Sequence, residues 1–237
     1  MILYGRNAVL EALRGRRSVR HVWAADERLA AAVREHDPDA RIELRDAAAL
    51  ERICGSDAHQ GLVCEADPYP YAEPAALLAA DDALVIALDQ VQDPQNLGAV
   101  CRSAECAGAT GVVVPERRSA EVTPAVCRAS AGAVEHLAVA RVRNLADFLA
   151  EAKRANAWVY GAEAEAPRSY TQVDWSGRAV IVLGSEGRGL RPRVRAACDD
   201  LVGVPLNGRL RSLNVSAAAA VLLYEAVRSR ATIEPGP

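Results

Sequence analysis

Ser212, Asn214 and Ser216 stand on alternate positions at the mouth of a stretch that continues almost entirely in Ala, Val and Leu. One short polar side chain is enough to cap a helix by accepting from its free backbone donors. Three exceed that need, so the others either hold the preceding loop together or face a ligand. A second unusual place is VIVLGSEGRGL (180–190), where an apolar run ends in Gly184, Gly187 and Gly189. Glycine at such a turn lets a ligand approach the backbone closely. The spacing is neither the dinucleotide fingerprint nor a P-loop. Glu186 inside the turn would repel a phosphate, which favours a cationic or hydroxyl-bearing partner, although a plain turn carboxylate reads equally simply. The third place is DPQNLGAVCRSAECAG (93–108). Asn96 is expected as the N-cap of a helix entered at Leu97. Arg102 lies nearly two turns further on and faces another direction, either solvated or aimed at a site.

Each of these places follows an apolar strand. LVIALD (84–89), GVVVP (111–115), LAVARV (137–142), AWVYGAEA (157–164), AVIVLG (179–184) and LVGVPL (201–206) alternate with helical stretches such as 97–108 and 144–156. Continuous apolar strands suit a parallel sheet covered on both faces. Ligands of such sheets bind beyond the carboxyl ends of the strands, where all three places fall.

Residues 1–66 read as a separate small α/β unit of about three strands, with helices at 7–16, 27–36 and 47–54 and strands at 19–25, 41–45 and 61–66. DPYPYAEP (67–74) opens a Pro-rich linker over 67–80, since proline at that density interrupts helix and sheet alike. A larger domain over 81–232 and a tail at 233–237 complete the organisation. The linker implies that the first unit moves independently.

Composition excludes more than it assigns. The net charge is −3 and 51% of the 237 residues are apolar, so there is core material but no overall basic field. Of 28 basic residues only Lys153 is lysine, so an arginine must be promoted by position. Arg6, Arg14, Arg16, Arg17 and Arg20 crowd the first twenty residues and predict a local basic surface. The six cysteines include no Cys-x-x-Cys pair, and the four histidines are scattered. No metal site is expected. Without an apolar run near ~20 residues or a signal-peptide core, no membrane is expected and the location is read as cytoplasmic.

Together the motifs DPQNLGAVCRSAECAG, IVLGSEGRGL and VPLNGRLRSLNVSAAAAVLLYE, in this order, resemble the SpoU (TrmH-like) family of RNA ribose 2′-O-methyltransferases over about residues 82–230. The opening YGRNAVLEAL and closing HQGLVCEA of the first unit resemble the ribosomal-protein-like RNA-binding domain of the branch that modifies 23S rRNA. Within that branch the nearest likeness is the type that methylates a guanosine ribose. Adenosine-ribose methylation of the antibiotic-resistance kind, tRNA methylation, and a non-catalytic RNA-binding role are the alternatives.

The resemblance implies a SPOUT-type α/β fold with a deep trefoil knot, a homodimer, and S-adenosyl-L-methionine as cofactor. Threading is so rare in proteins that the general rule would exclude it. The resemblance also implies cofactor contacts at Leu183, Gly184, Gly187, Val204, Leu206 and Leu213, and catalytic roles for Asn96, Arg102, Glu186, Ser212 and Asn214. The expected partner is 23S rRNA, free or in an assembly intermediate.

Overall fold

Apolar strands alternating with helices build two sheets in a computed structural model that describes residues 1–185 and 187–233. The first sheet contains β1 (Ile2–Tyr4), β2 (Val19–Ala24), β3 (Ile42–Leu44) and β4 (Leu62–Ala66), in the order β1-β4-β2-β3. Helices α1 (Arg6–Arg14), α2 (Glu27–Arg34) and α3 (Ala47–Cys54) connect its strands. There are thus four strands here, not about three. β1 is too short for its alternation to register and gains its place by pairing antiparallel with β4.

The second sheet contains β5 (Leu84–Asp89), β6 (Gly111–Pro115), β7 (Ala138–Val142), β8 (Trp158–Ala162), β9 (Arg168–Ser169), β10 (Ala179–Gly184) and β11 (Asp200–Gly203). Its order is β7-β6-β5-β10-β8-β11-β9, and every pairing within it is parallel. All its strands therefore end on one edge. Helices α4 (Pro94–Cys106), α5 (Pro124–Ala129), α6 (Leu145–Arg154), α7 (Pro192–Ala197) and α8 (Val215–Ile233) cover it. The six-residue α5 and α7 escape a search for helical periodicity, and each starts on proline, whose fixed φ suits a first turn. The strand expected at 201–206 stops at Gly203, before Pro205, where the ladder would lack a donor.

The two units share one apolar core, which runs from Leu3, Val22 and Leu62 into Ile86, Leu97 and Leu222. The Pro-rich tract between them is pinned, which corrects the expectation of independent movement. Tyr69 is buried and its hydroxyl donates toward the carbonyls of Leu137 (2.8 Å) and Val134 (3.2 Å). Tyr71 accepts from the Val122 amide, and Ala72 bridges to Ala140 of β7. Proline did interrupt helix and sheet there, but tyrosines between the prolines supply anchors that composition alone does not reveal.

Arg17 completes the junction. Only 6% of it is exposed, and its guanidinium forms a two-point ion pair with the buried carboxylate of Glu135 in the 3₁₀ turn Ala133–Glu135. It also donates to the Asp67 carbonyl and lies 5.6 Å from the Tyr69 ring centroid. Nearby, Glu11 of α1 contacts His136 at 2.8 Å.

Candidate active site

Asp93 and Pro94 start α4, and this corrects the expected cap. The Asp93 carboxylate accepts from the Gln95 amide and Pro94 takes the first helical position. Asn96 therefore sits inside the first turn, with only 8% of it exposed. It is turned toward the mouth of α8, where the Asn214 side-chain NH2 donates to its Oδ1 at 2.9 Å. The Asn214 Oδ1 accepts from the Ser216 amide (2.9 Å) and hydroxyl (2.6 Å). Asn214 thus caps α8 with its oxygen and uses its nitrogen to tie α8 to α4. Of the three alternating polar residues, Asn214 and Ser216 serve the cap, and Ser212 faces a cavity.

That cavity has a volume of about 640 Å³ and lies at the carboxyl ends of β10 and β11. Leu183, Gly184, Gly187, Val204, Leu206, Ser212, Leu213 and Asn214 all line it, so segments distant in sequence meet there. A volume between ~300 and ~1,000 Å³ with mixed apolar and polar walls suits a small organic ligand or cofactor. Gly187 and Gly189 have φ of 77° and 63°, values that glycine adopts without strain. A Cβ on Gly184 would stand 2.1 Å from the Gly189 carbonyl carbon and 2.5 Å from the Leu190 nitrogen. The turn therefore folds back so closely on Gly184 that no side chain fits there, while the residue still lines the cavity. Glu186 lies outside the described residues.

A second cavity of about 460 Å³ is lined by Gln90, Val91, Gln92, Asp93, Asn96, Ser185, Arg188 and Val215. Ser185, Arg188 and Val215 also line the first cavity, so the two adjoin. The Asn96–Asn214 hydrogen bond joins a residue of one wall to a residue of the other. The second cavity is the more polar, with amides, a carboxylate, a hydroxyl and a guanidinium available to a hydroxyl-rich or phosphate-bearing ligand.

Asp89 is a residue that the sequence reading passed over. It is 1% exposed at the end of β5, and its carboxylate accepts from the Arg191 backbone amide (2.8 Å) and Nε (2.7 Å). This clamp fixes the exit of the glycine turn against β5 and thereby sets the shared rim of both cavities. A carboxylate ending an otherwise apolar strand was the available signal.

Arg102 is exposed on α4, outside the walls of both cavities, with no hydrogen bond or ion pair among the described residues. The expected basic surface of the first unit is only partly free. Arg17 is buried and does not present its guanidinium to solvent, because Glu135 holds it. Arg14 pairs with Glu11, Arg20 pairs with Asp67, and Arg16 donates to the His136 carbonyl. The Arg6 side chain is exposed and has no such partner among the described residues. Among the described residues, no group of three or more metal-ligating side chains forms a site, and no helix is long and apolar enough to cross a membrane.

Residues 83–224 match the SpoU rRNA Methylase family, and residues 2–72 match an RNA 2′-O ribose methyltransferase substrate-binding domain. An uncharacterised tRNA/rRNA methyltransferase of Mycolicibacterium vanbaalenii is 41% identical, over 97% of this chain and 76% of its own. A Bacillus subtilis protein named as a TrmH-family tRNA/rRNA methyltransferase, YacO, is 36% identical over 95% of this chain and 94% of its own. The SpoU methyltransferase AviRb of Streptomyces viridochromogenes, solved with AdoMet, superposes with a TM-score of 0.83 at 26% identity, covering 98% of this chain and 91% of that one. With both domains matched and the two cavities at the sheet edge, the chain belongs to the SpoU family of RNA methyltransferases, whose methyl donor is S-adenosylmethionine.

Proposed function

We propose that the protein methylates a ribose 2′-hydroxyl of 23S rRNA, that of a guanosine. The observation that carries this reading is the pair of adjoining cavities, one with apolar walls and a glycine turn, the other polar, joined across the Asn96–Asn214 hydrogen bond. When bound, the cofactor supplies a methyl group activated on sulfonium. In the first cavity Leu183, Val204, Leu206 and Leu213 would give apolar contact to its adenosine, and Gly184 and Gly187 would offer backbone groups to its polar edges. The substrate-binding match over residues 2–72 supports an RNA substrate, and the choice of rRNA over tRNA rests on the resemblance of that unit to the 23S rRNA branch.

Asn96 from the wall of the second cavity and Asn214 from that of the first would orient the ribose, and holding nucleophile and methyl group in line lowers the barrier. Ser212 adds a hydroxyl from the wall of the first cavity. The hydroxyl would release its proton to water as its oxygen bonds the methyl carbon and the sulfonium–methyl bond breaks. Arg102 does not take that proton, since a guanidinium has donors only and no acceptor. From its exposed place on α4 it grips the phosphate next to the target ribose. Arg6, with the less buried of its neighbours, guides the RNA on the first unit.

The C-terminal part of the sheet would carry the deep trefoil knot that the SPOUT resemblance implies. The chain dimerises through the outward face of α8, where Ala217 and Tyr224 are exposed. All six cysteines are free thiols, as suits the cytoplasm where rRNA is made.

Mapping ribose methylation on rRNA and tRNA from a strain lacking this gene tests the reading. Loss of one 2′-O-methylguanosine in 23S rRNA, restored by the wild-type gene, is the expected result. A lost methyl group on an adenosine or in tRNA would transfer the assignment to that nucleotide, and an unchanged map in both RNAs would refute it.

A further inference from the structure

β6 lies beside β5 and parallel to it, so the loops leaving both strands emerge on the same edge of the sheet. The β5 loop supplies Gln90–Asp93 to the polar cavity. The β6 loop, residues 116–120, carries Arg117 and Arg118. Both are exposed, and neither makes a hydrogen bond or ion pair among the described residues. Their loop leaves the sheet beside the one that walls the polar cavity.

The loop is braced against the cavity wall. The Ala120 amide (2.8 Å) and the Ser119 hydroxyl (3.1 Å) both donate to the carbonyl of Val91, a wall residue. From the other side Arg141 donates to the Glu116 carbonyl and the Glu121 carboxylate, and its guanidinium lies 5.3 Å from the Tyr71 ring centroid. Arg118 itself is held at φ 58°, a left-handed conformation that strains a residue other than glycine. An arginine persists where glycine would sit more easily, one residue from the cavity's support.

We propose that Arg117 and Arg118 form a docking site for the RNA backbone, each gripping a phosphate flanking the ribose held in the polar cavity. This rests on the reading of that cavity as the ribose site. Guanidinium forks match phosphate oxygens in two-point contacts. Such contacts set the register of an RNA without reading its bases. The loop therefore decides how the strand enters the site, and the cavity decides which sugar is presented.

The test uses the full-length protein, Arg117→Ala, Arg118→Gly and the double variant, with an unmodified 23S rRNA transcript as probe. Arg118→Gly removes the cation and relieves the left-handed backbone, so lost binding in this variant does not report misfolding. S-adenosylhomocysteine affinity, measured by calorimetry, is expected to stay at the wild-type value in all three. RNA affinity falls, and its dependence on salt becomes shallower by ~1.4 in the double variant, at roughly 0.7 per single-strand phosphate contact. The wild-type-to-variant affinity ratio then narrows about sevenfold between 50 and 200 mM salt, by the same relation. Variants that match a binding-competent wild type in affinity and salt slope overturn this site alone. A wild type that binds no rRNA overturns the functional reading and this site together.

Discussion

Replacing Arg17 by alanine removes one half of an ion pair whose two side chains are each 1% exposed. Burial opposes the charge on Arg17, but the Glu135 carboxylate outweighs it and holds the guanidinium pKa above its usual value. In the variant, Glu135 is left buried without that cation, and breaking such a pair from one side costs ~3–5 kcal/mol. For a chain of this size each kcal/mol lowers the melting temperature by roughly 2–4 °C, so the expected fall is about 6–20 °C. Replacing both partners, as Arg17→Met with Glu135→Leu, removes the stranded charge along with the pair and should return stability to near wild type. Differential scanning calorimetry on the wild type, the two single variants and the double variant closes the cycle. A loss below ~1 kcal/mol for Arg17→Ala, as for an exposed pair, would refute the reasoning. So would a double variant no better than Arg17→Ala. Removing residues 1–70 strands the same buried carboxylate. The remaining domain would keep Glu135 but lose Arg17 and much of a shared core, so the truncated protein should be unstable rather than a free-standing catalytic unit.

Gly184→Ala places a methyl group against the backbone of Gly189 and Leu190; it should displace the turn and abolish S-adenosylhomocysteine binding by calorimetry, and unchanged affinity would show that the turn does not shape the cofactor cavity. Arg102→Ala should keep cofactor affinity while methyl transfer to rRNA falls by orders of magnitude, and Arg102→Lys should fail too because a point charge cannot copy a planar fork; near-normal turnover of either would make Arg102 an ordinary solvated residue. Burial pushes the thiols of Cys64, Cys101 and Cys127 up to about 12, so iodoacetamide at pH 8 should label exposed Cys106 and spare these three until the protein is unfolded, as read by peptide mass spectrometry. Burial also opposes the charge on Glu11, but hydrogen bonds from His136 and Arg14 win and hold its carboxyl below the usual range. Its contribution to stability is therefore complete above the ordinary glutamate value of ~4.3 and lost as pH falls through the lower folded value; Glu11→Gln should flatten the acid limb of a stability–pH curve, and an unchanged limb would remove Glu11 from the junction.

Much of the catalytic domain was legible in the chain because parallel strands buried on both faces must be apolar throughout. LVIALD and AVIVLG announce β5 and β10 without any knowledge of their neighbours. The three polar places at strand ends were legible for a related reason. Ser, Asn and Gly interrupting apolar runs need a use, and a parallel sheet puts its loops on one edge. The register that sets Gly184 opposite Asp89, and so clamps the glycine turn through Arg191, depends on strand order, which no local pattern carries.

Local signals also misled where two readings had the same short-range chemistry. Asn96 and Asp93 both suit a cap; the one followed by proline took it, and Asn96 was thereby released to meet Asn214 across 118 positions of sequence. The five early arginines read as a basic surface because charge is counted along the chain. Burial and pairing are decided in space, by Glu135, Asp67, Glu11 and the His136 carbonyl. The tract rich in proline breaks regular structure as composition dictates, yet Tyr69 and Tyr71 anchor it, because an aromatic ring gains most from whatever cavity the rest of the fold happens to offer. The residue types and their spacing thus determined the kind of sheet and the places where chemistry could occur. Tertiary structure alone decided which of those groups touch, since hydrogen bonds and ion pairs act over a few ångströms and long stretches of sequence separate the partners.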